Sequence, residues 1–131
     1  MSEAREREGV GVICRQLHVK APSIEVATAT LSGGNQQKVA LAKWLLLGPR
    51  VLIVDEPTRG IDVGAKAEIY RLLRDLARQG VAIVMISSDM EEVLLLSDRV
   101  AVMCEGRLSG ILEREQCTEP GIMALAVAAG A

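Results

Sequence analysis

Two short stretches of this 131-residue chain carry residue types suited to chemistry. The first is Leu31-Ser32-Gly33-Gly34-Asn35-Gln36-Gln37-Lys38. Ser32 is placed to cap a helix that starts near Asn35, its hydroxyl accepting a hydrogen bond from a first-turn N–H. Gly33 and Gly34 leave backbone N–H groups uncovered and let a ligand come close. The positive end of the helix dipole points at the same spot, so the chemistry implied is anion binding. The second stretch is Val51-Leu52-Ile53-Val54-Asp55-Glu56-Pro57, an apolar run ending in two acids. Burying adjacent carboxylates is expensive without a partner. A magnesium ion or its water shell would satisfy Asp55. Glu56 is then free to polarise a water that attacks phosphorus, a general-base contribution of roughly 10²–10⁴-fold. Each stretch also has a plainer reading: a glycine turn before a helix, and a strand that ends at the surface in two solvated acids.

The elements around these residues follow from periodicity. Residues 36–47 read as a helix with Val39, Ala42 and Leu46 recurring at helical spacing and Trp44 and Leu45 widening the apolar face. Gly48-Pro49 stops it. The run 51–54 is too short for a helix and reads as a fully buried, parallel-type strand. Pro57 cannot join a central ladder. Asp62 can cap a helix over 65–79 whose inward stripe is Ile69, Leu72, Leu73 and Leu76, closed by Gly80. Residues 81–86 form a second buried strand. Ser88 and Glu91 make a capping box for a short helix through Leu96. Residues 99–103 and 107–112 pair as a hairpin around Glu105-Gly106, and 118–129 read as a terminal helix. Ahead of all this, 10–19 is a weaker helix candidate, and 1–9 is charged and reads as loose or as the frayed start of a helix. Strand and helix alternate, so the fold class is α/β with a parallel core sheet flanked by helices, the last hairpin adding a mixed edge. In such sheets ligands bind beyond the carboxyl ends of strands, where Asp55 and Glu56 lie.

Composition narrows the partners. Half the residues are hydrophobic and only 2% aromatic, so Leu, Val, Ile and Ala must build the core. A net charge of −2 speaks against a nucleic-acid surface. No apolar run approaches the ~20 residues that span a bilayer, and the charged start does not read as a secretory signal. Cys14, Cys104 and Cys117 are odd in number and widely spaced, which fits reduced thiols rather than disulfides or a zinc site. His18 has no ligand motif around it and reads as a surface or packing residue.

The stretches together resemble the ATP-binding-cassette (ABC) family. Leu31 to Gly34 looks like its signature motif, Val51 to Glu56 like its Walker B strand, and Thr58-Arg59-Gly60-Ile61-Asp62 like its D-loop. The chain is most similar to the second, C-terminal cassette of ribose-type bacterial sugar importers, through Leu31 to Lys38, Pro57 to Lys66 and Ile86-Ser87-Ser88. The resemblance implies a remnant of a helical subdomain over 1–30. It implies the C-terminal part of a nucleotide-binding domain over 31–131, with signature, Walker B strand, D-loop, switch region, hairpin and helix. It implies ATP and Mg²⁺ as cofactors, with Glu56 catalytic, Asp55 at the metal, and Ser32, Gly33, Gly34, Gln36, Asp62 and Ser88 at the nucleotide. Two cassettes of this family pair head to tail, so the partners implied are a second cassette, membrane permease subunits and, indirectly, a periplasmic sugar-binding protein. The place implied is the cytoplasmic face of the plasma membrane.

Two departures shape the expectation. No G-x-x-x-x-G-K-[ST] loop occurs, so the phosphate cradle and its lysine are missing and the fold is a partial P-loop NTPase-like cassette lacking the Walker A strand, loop and helix. The chain reads as a C-terminal piece, inactive in isolation. Ser88 stands where the family usually places a histidine for the γ-phosphate. The alternative reading is a non-catalytic module that lends a signature face to another cassette. A chromosome-maintenance ATPase head fits less well, since no sustained heptads or basic face appear.

Overall fold

The computed structural model describes residues 3–127. The chain divides into two compact units, the first ending at Ile86 and the second beginning at Ser87.

The first unit opens with α1, Glu3–Gln16. The helix takes in residues 3–9 as well as most of 10–19, in line with the second of the two readings of the charged start. Glu3 and Glu6 in its first turn oppose the helix dipole, and Glu3 pairs with Arg7 at 3.5 Å one turn on. Charge pattern thus extends the helix where apolar periodicity is silent. It stops where His18 turns left-handed (φ 49°) and the Val19 N–H reaches back to the Cys14 carbonyl at 2.9 Å, a Schellman-type end. A short 3₁₀ turn, Thr28–Thr30, leads into α2, Gly33–Leu45. The buried face of α2 is Gly34, Lys38, Leu41 and Ala42 rather than the expected Val39, Ala42 and Leu46 stripe. Trp44, Leu46 and Leu47 are exposed. The small residues Gly34 and Ala42 let neighbouring elements close in, and that packing turns the helix away from the face that hydrophobicity alone selects.

Strand β1, Val51–Asp55, pairs in parallel with β2, Ala82–Ile86, in the register Val51↔Ala82 through Asp55↔Ile86. Between them runs α3, Val63–Arg78, which packs on β2 and buries Ile69, Leu73 and Leu76. The strands are not buried on both faces, contrary to expectation. Leu52 and Val54 point inward, whereas Val51, Ile53, Val84 and Ile86 stand at 57%, 67%, 51% and 51% exposure. One layer of helix covers one face only, and period-2 alternation then sends the other residues outward.

The second unit holds α4 (Met90–Leu96), β3 (Arg99–Cys104), β4 (Arg107–Glu113) and α5 (Glu119–Val127). β3 and β4 form their own antiparallel sheet instead of a mixed edge on β1–β2. Their turn puts Glu105 at φ 49° and Gly106 at φ 76°, the both-positive pattern that matches strand twist in a two-residue hairpin. Val100, Val102 and Ile122 are the core here, with Met90, Val93, Leu94, Leu112 and Leu125 around them. Arg114 ties down the end of α4 by donating to the Leu94 and Ser97 carbonyls at 2.7 and 2.8 Å. Of the terminal helix expected over 118–129, α5 accounts for Glu119–Val127, and positions 128 and 129 lie outside the described residues. No helix of the described residues is long and apolar enough to cross a membrane, and Cys14, Cys104 and Cys117 are free thiols.

Candidate functional site

At the start of α2, Ser32 is the N-cap by backbone, with φ −60° and ψ 154°, and its carbonyl takes the Gln36 N–H at 2.9 Å. Its hydroxyl does not cap a backbone N–H, contrary to expectation. The Asn35 side-chain amide, three residues on, donates to Ser32 Oγ at 2.9 Å and occupies it. The Asn35 oxygen in turn accepts the Lys20 N–H at 2.8 Å. Gln36 also braces the loop, donating to the Leu31 carbonyl at 2.8 Å. Ser32 and Gly33 are exposed. Gly34 is buried rather than open: a Cβ built there would lie 2.6 Å from the Ala65 Cβ of α3. The first glycine therefore faces solvent beside the dipole end, and the second exists so that two helices can touch.

β1 ends at Asp55, as the proline predicts, and the Asp55 carboxylate side is exposed. Glu56 sits in the left-handed region at φ 47°, rare for a residue with a Cβ. Its N–H donates to the Ile86 carbonyl at 2.8 Å and its carbonyl takes the Arg59 N–H at 3.2 Å. The turn holding it is packed, since Pro57 and Thr58 are buried. Strain of this kind, of order 1–3 kcal/mol, persists only where the surroundings over-determine the backbone. Among the described residues no three or more His, Cys, Asp or Glu side chains form a metal-holding group. A lone exposed carboxylate at a strand end fits magnesium, which binds through one or two carboxylates together with phosphates and waters.

Asp62 caps α3 as expected, its Oδ1 accepting the Ala65 N–H at 2.9 Å. The Thr58–Asp62 stretch lies against the Leu31–Gly34 stretch: a Cβ on Gly33 would be 3.4 Å from Ile61 Cγ2 and 3.9 Å from the Gly60 carbonyl. Ser88 lies in the second unit and is exposed. It is not the cap of α4. Asp89 is, accepting the Glu92 N–H at 3.2 Å. Ser87 supports the turn, accepting the Asp89 N–H at 3.0 Å and donating to Glu92 Oε2 at 2.6 Å. A carboxylate one residue nearer the helix outcompetes the serine for the cap position.

Lys38, to which the sequence assigns no role of its own, is central to the packing of α2. It is 3% exposed. Its Nζ donates to the His18 carbonyl at 3.1 Å and to Glu68 Oε2. That hydrogen bond, and then the Lys38 charge, hold the Glu68 carboxyl below its ordinary value against the opposing effect of burial. The available signal was position: Lys38 is one turn after Gly34 on the same helix face.

The ABC transporter family profile matches residues 5–59, a span that includes the Leu31–Gly34 and Val51–Glu56 stretches. A protein of Pseudomonas fluorescens provisionally named as a ribose/galactose/methyl galactoside import ATP-binding protein is 61% identical over 87% of this chain and 22% of its own length. The chain belongs to the ABC transporter ATPase family. The ribose import ATP-binding protein of Clostridium perfringens is 54% identical over 97% of the chain and 25% of its own length. The ABC chain described here thus spans about a quarter of the relatives it matches. Among solved structures, a cbiO1 ABC protein from Clostridium perfringens superposes with a TM-score of 0.73 at 31% identity, covering 98% of this chain and 53% of that one. The ABC cassette MJ0796, described as bound to ADP and Pi, superposes at 0.76 with 23% identity over 87% of this chain and 49% of that one, which speaks to the fold alone. An α/β cassette fold with a parallel sheet and helices is thereby established for this chain. The family is one of nucleotide-binding ATPases, and the reading as a chromosome-maintenance head is set aside.

Proposed function

We propose that the chain is the C-terminal part of the second cassette of an ATP-binding subunit of a monosaccharide importer, which couples ATP binding and hydrolysis to sugar uptake. The observation that carries this reading is the identity of 54–61% to proteins named for ribose, galactose and xylose import. Residues 1–30 then belong to the helical subdomain and 31–131 to the nucleotide-binding domain. The partners are a second cassette, permease subunits and, through them, a periplasmic sugar-binding protein. The working place is the cytoplasmic face of the plasma membrane.

In this reading the tip of α2 meets a nucleotide whose phosphate cradle lies on the partner cassette. Ser32 O–H and the first-turn N–H at exposed Gly33 donate to phosphate oxygens, the helix dipole adds to their pull, and Gly34 serves the site by seating α2 against α3. Gln36 stiffens the loop. Asp55 holds magnesium, which when bound neutralises phosphate charge as a Lewis acid. Glu56 accepts a proton from the attacking water. Asp62 bridges the two cassettes while capping α3. Ser88 stands at the switch position, where a short hydroxyl cannot do the work of an imidazole.

One experiment tests this. The purified chain alone is expected to turn over Mg-ATP negligibly. Mixed with the amino-terminal cassette of a ribose-type importer, it is expected to restore ATP-dependent activity that Ser32→Arg abolishes. Turnover by the chain alone at the rate of an intact transporter would refute the reading. A second reading, the non-catalytic signature module, is favoured by Ser88, whose hydroxyl stands at the position expected to carry an imidazole. Loss of the restored activity on Glu56→Gln belongs to the first reading only.

A further inference from the structure

We propose that Lys38 is a positioning residue that locks the signature tip of α2 to the Asp62 end of α3, so that both meet the nucleotide interface as one body. The proposal rests on the function proposed above. An ammonium group withdrawn from water is expensive unless its donors are used. Lys38 uses them on two other elements: the His18 carbonyl at the left-handed stop of α1, at 3.1 Å, and Glu68 on α3. An apolar side chain could fill the same volume. It could not join three backbone segments at one point, nor set their register.

The lock has a second contact one turn nearer the tip. Gly34 and Lys38 are four residues apart on α2 and share a face. Ala65 and Glu68 are three apart on α3 and share another. Gly34 lies against Ala65 so closely that no Cβ fits. Lys38 engages Glu68 behind it. The Ala65 N–H is also the donor that Asp62 caps. A shift of α2 along α3 would therefore break the ion pair and move Ser32 and Gly33 relative to Asp62 together. The charges of Lys20 and Arg71 add to that of Lys38 in lowering the Glu68 carboxyl below its ordinary value.

The test uses the full chain with the amino-terminal cassette of a ribose-type importer and reads ATP-dependent association. Lys38→Met, nearly the same in length but without donors, is expected to raise the ATP concentration for half-maximal association at least tenfold at a temperature where its circular dichroism is native. Lys38→Arg, or the exchange Lys38→Glu with Glu68→Lys, is expected to restore most of it. A merely structural role predicts recovery of Lys38→Met on cooling, with no rescue by the exchanged pair. Wild-type association by a folded Lys38→Met overturns the proposal. If Lys38→Met does not fold, Glu68→Gln serves instead: a several-fold loss supports the lock, and no loss overturns it. If the wild-type chain does not associate and Ser32→Arg changes nothing, the proposed function fails on its own. The lock is then read from the chain alone by hydrogen exchange. Exchange at Gly33 to Gln36 accelerated at least tenfold in Glu68→Gln, with the far end of α3 unchanged, supports it, and unchanged exchange overturns it.

Discussion

The side-chain amide of Asn35 holds the hydroxyl oxygen of Ser32 at 2.9 Å, so the serine that begins α2 receives a hydrogen bond from a side chain instead of from the helix backbone. Because its oxygen is already accepting, the Ser32 proton is directed away from Asn35. The N-cap hydroxyl also closes none of the first-turn N–H groups. The helix forgoes a cap worth ~1 kcal/mol in favour of donors that stay open to an anion. Asn35→Ala should release Ser32 to cap the backbone while losing the bond to the Lys20 N–H. The two changes oppose each other, and the remaining deficit should be about 1 kcal/mol or less in a urea titration. Asn35→Asp keeps the acceptor for Lys20 and loses the donor to Ser32, and should fall between the two.

Gly34→Ala should be destabilising by about 2 kcal/mol, because the new Cβ meets the Ala65 Cβ at 2.6 Å and a packed helix pair must part. Gly33→Ala should be tolerated, its nearest neighbour being Ile61 Cγ2 at 3.4 Å. Adding Ala65→Gly to Gly34→Ala should return most of the loss, measured as a non-additive double-mutant cycle.

Stability should depend on pH through Glu68. Its folded pKa lies below the ordinary 4.5, because Lys38 donates to it and attracts it. A depressed carboxylate stabilises fully above its unfolded pKa and loses that contribution as pH falls through the folded value. Denaturant midpoints taken from neutral pH downward should show wild type more stable than Glu68→Gln at neutral pH, with the gap closing below about 4.5. The size of the gap should be modest, since the Glu68 side chain is 38% exposed and solvent screens it.

Glu105 occupies the first left-handed position of the β3–β4 turn. Glu105→Asn should raise stability by about 1 kcal/mol, because Asn tolerates that backbone region and Asn-Gly is the favoured pair for such a hairpin. A rise in the thermal midpoint of the chain checks it.

Features encoded by near neighbours were readable in advance. Pro57 after two acids ends β1 at Asp55, Asp62 caps α3, and Gly48 and Gly80 turn left-handed where α2 and α3 stop. What escaped depended on distant or competing partners. Lys38 is buried because Glu68, thirty positions away, and the His18 carbonyl meet it. Ser32 loses its cap to Asn35, and Ser88 loses its cap to Asp89, in local contests between side chains that residue preferences rank too closely to decide. An apolar run such as 51–54 tells that a strand is present but carries no information on what covers each of its faces. At the candidate site, the bond from Asn35 to Ser32 and the pairing of Lys38 with Glu68 are contacts of this second kind.

Among the described residues neither β1 nor β2 has a neighbour beyond the other, and their outer face carries Val51, Ile53, Val84 and Ile86. Such a ribbon offers unsatisfied ladder groups on its rims together with a greasy flat side, the combination that seeds intermolecular stacking. Handling of the chain in vitro should therefore be governed by concentration: dilute samples stay dispersed, and crowded ones turn turbid. Placing a lysine at Ile53 should delay that turbidity without weakening the fold.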